Sequence, residues 1–575
     1  MFAQVHRVRS GERTYEYLRI VESYRDDRGR ATHRVVANLG RLDLLDGGLV
    51  ALVRSLSRFC ERPLLTAEDV ALEEALPWGP ILLARHLYDR LGLGPIIRDA
   101  DGSTQREFDV GETAFVLIAN RLTEPSSEHG LARWLEHYYV CDRAGERWEP
   151  AWLPEERIGA RQRVRVQAAQ LNTWYRTLDA LVAGQRVIEK ALYLKVRDLF
   201  HLDVDLVLYD VTSTYFARRS PTGALRRHGH SRDGKRRNVQ VLLGVVIANG
   251  FPIAHHVFPG NTVDKATFQS VLGDLEQRLG LRRVMVVGDR GLVSEANLDF
   301  LQAPGRELRY LLGIPGRRHE ESAAALDAVK EDAWQPVDEG NRVQEVKGAG
   351  APDVRYFVVD SVERKAYEEE LRQRSMERAR ARLEKVAAAV SAGRLKDPAK
   401  IGARAARALE SDHGDRYYRY AVPGPGQFEY SADAEKLEAE RVREGRYLLK
   451  TNDPELTAPQ AVPLYKQLSD VEWAYRDLKD VIRMRPIHHR TDERIKAHLF
   501  VATLALFLKR MLEHELTLAG VDLTPTEAFA AMHSMGLGVL DLAGDRRHLV
   551  TAGGRDARRI AKALGLHPLA PPGAQ

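Results

Sequence analysis

Three acidic side chains, Asp210, Asp289 and Glu472, stand where the flanking sequence gives them chemistry to do. The apolar run Val207-Leu208-Tyr209 stops on Asp210, and Val284-Met285-Val286-Val287-Gly288 stops on Asp289. A strand that stops on an aspartate offers its carboxylate at the carboxyl edge of a sheet, where open α/β folds place their sites. Glu472 lies in a helical pattern. At 3.6 residues per turn, Leu464, Leu468, Val471, Tyr475, Leu478 and Ile482 share an apolar stripe. Glu472, Arg476, Lys479 and Arg483 form a second stripe about 100° around it. Carboxylate oxygens are hard ligands suited to magnesium or manganese, and the nearby cations suit phosphates. The combination points to metal-dependent chemistry on nucleic acid. Each acid alone has an ordinary explanation: a strand cap at Asp210, a turn at Asp289-Arg290-Gly291, an ion pair of Glu472 with Arg476. Their joint order is harder to explain that way.

The elements that must position these acids follow one another from residue 201. Strands are expected at 206–209, 239–247 and 252–258, with Asn249-Gly250 as a hairpin turn. A helix over 265–279, the strand ending on Asp289, a helix over 294–301 and a strand over 309–314 complete the series. Three antiparallel strands, helix, strand, helix, strand is the RNase H-like order. The expected fold class is therefore α/β: a mixed sheet flanked by helices, interrupted before the helix that bears Glu472. Residues 1–45 read as a small β unit and 46–200 as helical. The core occupies 201–315 and 446–520, the insertion 316–445. A helical tail runs over 521–575, without order from Pro568. Within the insertion a charged helix over 363–390 reads as an arm packed on a neighbour.

Composition sets wider bounds. The chain has 575 residues and a net charge of +5, too mild by itself to argue for DNA. Locally the balance differs: Arg218, Arg219, Arg226, Arg227, Arg232, Lys235, Arg236 and Arg237 face the single acid Asp233. Such a run is a solvated loop or a nucleic-acid face, and its place directly after Asp210 favours the second. Cys60 and Cys141 form no CxxC, which excludes a disulfide framework and a zinc knuckle. No leader-like or membrane-length apolar run occurs. A soluble cytoplasmic protein without membrane association is expected.

Several blocks resemble one family. Tyr465, Glu472 and Lys479 match the spacing Tyr-(2)-Arg-(3)-Glu-(6)-Lys of a group of bacterial insertion-sequence DDE transposases, with Leu468 in place of the arginine. Tyr209 to Phe216, Gly229-His230-Ser231-Arg232-Asp233, Phe258-Pro259-Gly260-Asn261-Thr262, Val287 to Gly291 and Arg485-Pro486-Ile487-His488-His489 are similar to the same family. The resemblance implies an enzyme that cleaves element ends and joins them to target DNA. Asp210, Asp289 and Glu472 would hold two magnesium or manganese ions. The partners implied are double-stranded DNA and a second copy in a paired-end complex, in a nucleoid-associated setting. Lys479 and Tyr465 would hold the backbone, helped by Arg476, Arg483, Arg232, Lys235, Arg236, Arg237 and Arg290. End recognition would fall in 46–200, including 126–137 and 157–165. Independently of the resemblance, Trp334 reads first as a core residue and second as a side chain that stacks on an unpaired base. Thr212, Thr214, His228, His230 and His488-His489 are weaker candidates. The competing readings are an RNase H-like nuclease without strand transfer, a catalytically silent DNA-binding relative, and an aspartate-nucleophile phosphatase.

Overall fold

A computed structural model describes residues 1–45, 47–57, 59, 70–102, 106–150, 160–200, 205–217, 219–314, 320–346, 354–411, 413–542 and 545–572. The chain opens with the meander β1 (Phe2–Ser10), β2 (Arg13–Arg25) and β3 (Ala31–Arg41). Helices α1 (Leu42–Leu45) and α2 (Leu49–Ser57) and strand β4 (Val70–Pro77) follow. Five helices come next: α3 (Gly79–Arg90), α4 (Leu93–Asp101), α5 (Val110–Thr123), α6 (Leu131–His137) and the long α7 (Ala160–Phe200).

The expected core order is then realised: β5 (Leu206–Tyr215), β6 (Gln240–Ala248), β7 (Phe251–Pro259), α8 (Asp264–Asp274), β8 (Met285–Gly288), α9 (Glu295–Leu301) and β9 (Arg309–Gly313). Asn249 and Gly250 both take positive φ, 49° and 82°, as a tight hairpin between twisted strands requires. The inserted segment holds α10 (Glu320–Asp327), β10 (Gln335–Asp338), β11 (Asn341–Val346), β12 (Arg355–Ser361), α11 (Val362–Ser391), α12 (Pro398–Glu410), β13 (Tyr418–Ala421), β14 (Glu429–Ala432) and α13 (Ala434–Arg443). The chain returns through β15 (Arg446–Thr451), α14 (Ala458–Lys466), α15 (Leu468–Arg476) and α16 (Asp492–Leu518). It finishes with α17 (Pro525–Met532), β16 (Gly536–Leu542), β17 (Asp545–Val550) and α18 (Arg555–Ala563). The tail expected to be helical thus holds two strands, paired in the order β17-β16-β4.

Two compact units result: Met1–Ala75 with Gly538–Leu549, and Leu76–Leu537 with Val550–Gly573. The second is built on one mixed sheet of order β10-β11-β12-β15-β9-β8-β5-β6-β7. Strand β5 pairs antiparallel with β6 and parallel with β8, as in an RNase H-like core. The insertion does not simply interrupt the sheet. Its first three strands extend it, and β12 pairs with β15 along 355–360. Beyond them α11, α12, β13 and β14 share a small core of their own around Leu383, Val386, Ile401 and Tyr418.

One apolar cluster runs from Trp78 to Leu566 and joins α3–α7 to the sheet. Helix α16 lies at its centre, buried at every position from 497 to 509; a helix apolar all round belongs in an interior. No helix among the described residues is long and apolar enough to cross a membrane.

Candidate active site

Asp210 is not the last residue of its strand. β5 runs on to Tyr215, paired with β6, whereas β8 stops earlier. The parallel ladder ends with Tyr209 opposite Gly288, so Asp210 and Asp289 are the next residues on two adjacent strands. Neighbouring strands lie about 4.8 Å apart, which sets these two carboxylates side by side in the notch where β8 ends. Asp289 is exposed and caps the short 3₁₀ turn Arg290–Leu292, accepting from the Arg290 amide at 2.6 Å. Asp210 is half-buried. Burial pushes its carboxyl up to about 6; the Asp289 and Asp264 carboxylates add to the rise, while the Val211 amide and Arg232 oppose it.

Helix α15 brings the third acid. Buried Tyr475 reaches from it onto the sheet, where its hydroxyl donates to the Asp210 backbone carbonyl. The same hydroxyl lies 3.2 Å from the Leu243 carbonyl and accepts from the Val245 amide at 3.2 Å. Glu472 stands three positions earlier on the same helix, exposed, so it is a helical neighbour of the residue tied to Asp210. The apolar stripe expected for this segment is largely realised: Val471, Tyr475, Leu478 and Ile482 are buried, and Leu464 and Leu468 pack at its edge.

The helix is not continuous, however. It breaks at Gln467, and Asp477–Val481 form a π-helical turn. That turn takes Lys479 off the outer stripe. Its ammonium meets Asp233 at 3.0 Å, and Arg485 meets the same carboxylate at 2.6 Å. Arg483 lies beyond the helix at φ 52°. Arg476 covers the ring of Trp473 at 4.3 Å, and Trp473 is 54 % exposed.

Two residues at this edge carry signals too weak to read in sequence. Asp264, in the first turn of α8, pairs with Arg232, and both act electrostatically on Asp210. Its backbone carbonyl accepts from Thr267 at 2.6 Å, and Thr267 in turn accepts from Tyr209 at 2.8 Å. An acid in a helix's first turn usually needs no further explanation. Gly313 on β9 is the second: a Cβ there would lie 2.3 Å from the Tyr465 hydroxyl. Burial holds that hydroxyl well above its ordinary range, and Asp289 adds to the effect.

A cavity of about 980 Å³ is lined by Asp289, Arg290 and Tyr465 together with Arg364 and Arg372 of the insertion and Arg446 of β15. Trp334 is half-buried, with Arg342 and Arg446 over its ring at 4.6 and 5.4 Å. Lys235, Arg236 and Arg237 are exposed; Arg218 lies outside the described residues. Thr212 and Thr214 are buried within β5.

His489 belongs to a different cluster, with Glu128 and His498, whose ligand-type atoms lie within 4.8 Å of one another. Arg121 lies 3.3 Å from one His498 nitrogen, and the other faces the Met484 carbonyl at 2.9 Å. A guanidinium at that position disfavours a cation, and the cluster is structural. The acids at the sheet edge, hard oxygen donors without a committed cation on Asp289, are the better fit for a divalent ion.

Residues 205–508 match the family described as the transposase DDE domain, and residues 3–69 match the IS1634 family transposase N-terminal domain. The chain belongs to the DDE transposase family. It is a DNA transposase, an enzyme that depends on divalent metal to cleave DNA, and the plain-nuclease alternative is not favoured. Among solved structures it is similar to the piggyBac transposase synaptic complex with hairpin DNA: 10% identity, 79% of each chain covered, TM-score 0.35. It is also similar to the Mos1 transposase paired-end complex with left transposon end: 16% identity, 36% of this chain and 60% of that one covered, TM-score 0.14. No curated protein matches.

Proposed function

We propose that Asp210, Asp289 and Glu472 form the cleavage and strand-transfer site of this transposase and together hold two magnesium or manganese ions. The observation that supports this most is Tyr475, which ties the helix of Glu472 to the backbone of Asp210. When bound, such ions polarise the scissile phosphate, activate a hydroxyl and stabilise the leaving oxygen. The chain's own groups do the rest. The parallel β5–β8 pair fixes the two aspartates beside each other, and Tyr475 fixes α15 against them. Tyr465 and Arg290 border the cavity where a phosphate would enter beside Asp289. In the joining step the freed 3′ hydroxyl loses its proton and its oxygen bonds to a target phosphorus, the bond from that phosphorus to the target's own 3′ oxygen breaks, and the departing 3′ oxygen takes up a proton to become a free hydroxyl.

Around that centre, Arg232, Lys235, Arg236, Arg237, Arg476 and Arg483 supply backbone contacts. Lys479 joins them once it exchanges Asp233 for a phosphate. Trp334 would stack on a base only after Arg342 and Arg446 release its ring. A homodimer that pairs two element ends fits the reaction, with end recognition in 46–200. Helices α3–α7 share the core, so deleting them would unfold the protein; substitutions on their exposed faces are the usable probe.

Asp210→Asn, Asp289→Asn and Glu472→Gln are each expected to abolish cutting of end-bearing duplex while leaving its binding within about twofold. Robust cutting by any of these variants, folded by circular dichroism, removes that residue from the site.

A further inference from the structure

The far part of the insertion carries a concentration of charge that the cleavage site does not use. Between 378 and 407 there are nine cations, Arg378, Arg380, Arg382, Lys385, Arg394, Lys396, Lys400, Arg404 and Arg407, against only Glu384 and Asp397. Both acids are engaged. Glu384 pairs with Arg380 at 3.2 Å, and Asp397 caps α12 by accepting from the Ala399 and Lys400 amides. Among the described residues Lys385, Arg394, Lys396, Lys400, Arg404 and Arg407 have no carboxylate partner, and all six are exposed.

The arrangement on α12 is regular. Lys400, Arg404 and Arg407 recur at one-turn spacing, while Ile401, Ala405, Ala408 and Leu409 turn into the small core. The stripe spans about 10 Å at 1.5 Å per residue, some three steps of duplex at 3.4 Å each. The arm is also continuous with the site. The first half of α11 lines the cavity that contains Asp289, through Arg364, Leu371 and Arg372. From Ser375 to its end at Ser391 the helix runs about 24 Å outward.

We propose that α12 and the outer half of α11 form a sequence-independent clamp on duplex DNA, gripping the backbone of the duplex that continues from the phosphate being cut. The assignment rests on the placement of that phosphate at Asp210 and Asp289. An acidic protein surface is the other occupant that such a stripe could take. The DNA reading is favoured because the arm starts at the cavity of a DNA-cleaving site and because its cations are spaced along a line.

The test is the full-length triple variant Lys400→Ala/Arg404→Ala/Arg407→Ala, alanine being the best helix former. Binding to an end-bearing duplex is measured in chelator across a range of salt. Each lost phosphate contact lowers the slope of log affinity against log salt by about 0.9, so the clamp predicts a reduction of about 2 to 3. The difference from wild type should vanish when the duplex is trimmed to a few base pairs around the cut. Arg283→Ala, which removes an exposed cation outside the arm that is already paired with Glu307, should leave the slope unchanged. An unchanged slope in the folded triple variant, or a difference that persists on the shortest duplex, overturns the clamp. Chelator keeps this outcome separate from the site assignment, which fails instead if Asp210→Asn cuts DNA.

Discussion

Replacing Tyr475 with phenylalanine tests how the third acid is held. One hydroxyl serves three backbone groups: the carbonyls of Asp210 and Leu243 and the amide of Val245. The ring is buried against the sheet, so water does not reach the groups that the substitution leaves behind. A buried donor stripped of its partner costs about 1–3 kcal/mol, a roughly 5- to 150-fold shift in the unfolding equilibrium. The phenyl ring keeps the packing, so nothing is added for a cavity. Urea unfolding should show the midpoint lowered with the slope unchanged. Cutting of an end-bearing duplex, measured far below that midpoint and scaled to folded protein, should fall at least tenfold because α15 is no longer fixed over Asp210. A variant that loses stability yet cuts at the wild-type rate would show that Glu472 is positioned by something else. One that loses neither would refute the hydrogen-bond geometry itself.

Gly313→Ala should force Tyr465 away from Asp289, since the new Cβ would lie 2.3 Å from its hydroxyl and 3.0 Å from its Cζ. Cutting should drop, and adding Tyr465→Phe should recover part of the lost stability; strictly additive losses in this cycle would count against the contact. Asp233→Asn should lower stability by about 2 kcal/mol by stripping Lys479 and Arg485 of their shared carboxylate, and an unchanged urea midpoint would contradict it.

The histidine cluster sets a pH dependence of stability. Burial, with Arg121 and His489 adding, pulls His498 down to about 3. The unfolded chain takes up a proton near 6.5 that the folded chain refuses until about 3, so this stability is complete above 6.5 and is lost as pH falls. Glu128 acts in the same direction at lower pH: burial raises its carboxyl, but His489 holds it well below the ordinary range. The urea midpoint should fall from pH 7 to pH 5, and fall less in His498→Gln; equal falls would show that the cluster does not titrate as described.

How much of this was readable in the chain depended on range. The order of β5 to β9 was legible because each strand announces itself by a short apolar run and each turn by its own residues, as Asn249-Gly250 does. The pairing of Asp210 with Asp289 was legible because both strands stop, or lose a partner, at the acid. What escaped was decided by distant contacts. Nothing local in Gln335–Ser361 says that these strands continue the core sheet, since β12 finds β15 nearly a hundred residues later. The π-helical turn at Asp477–Val481 closes through its own backbone, yet Lys479 turns inward to Asp233 from another loop. The strands in the tail depend on β4, almost the whole chain away. Asp264 looked like any acid in a helix's first turn until Arg232 was placed beside it.

These acids constrain the fold as much as they equip it. The Asp289 and Asp264 carboxylates both work against a charge on Asp210, on top of its burial. Nothing in that arrangement is self-stabilising, so its geometry has to be imposed from outside. β5 supplies one constraint: Val207, Tyr209 and Val211 are fully buried around Asp210, and a register slip of one residue would exchange the two faces of the strand and carry the aspartate into the packing they occupy. Gly244 supplies another. A Cβ there would lie 2.8 Å from the Tyr209 hydroxyl, so only glycine lets that ring pass and reach Thr267 at the start of α8. Arg232 then offsets part of the repulsion from a loop rather than from the rigid sheet. The apolar framework thus holds the acids together, and Arg232, itself paired with Asp264, sets how much of their repulsion is felt at Asp210.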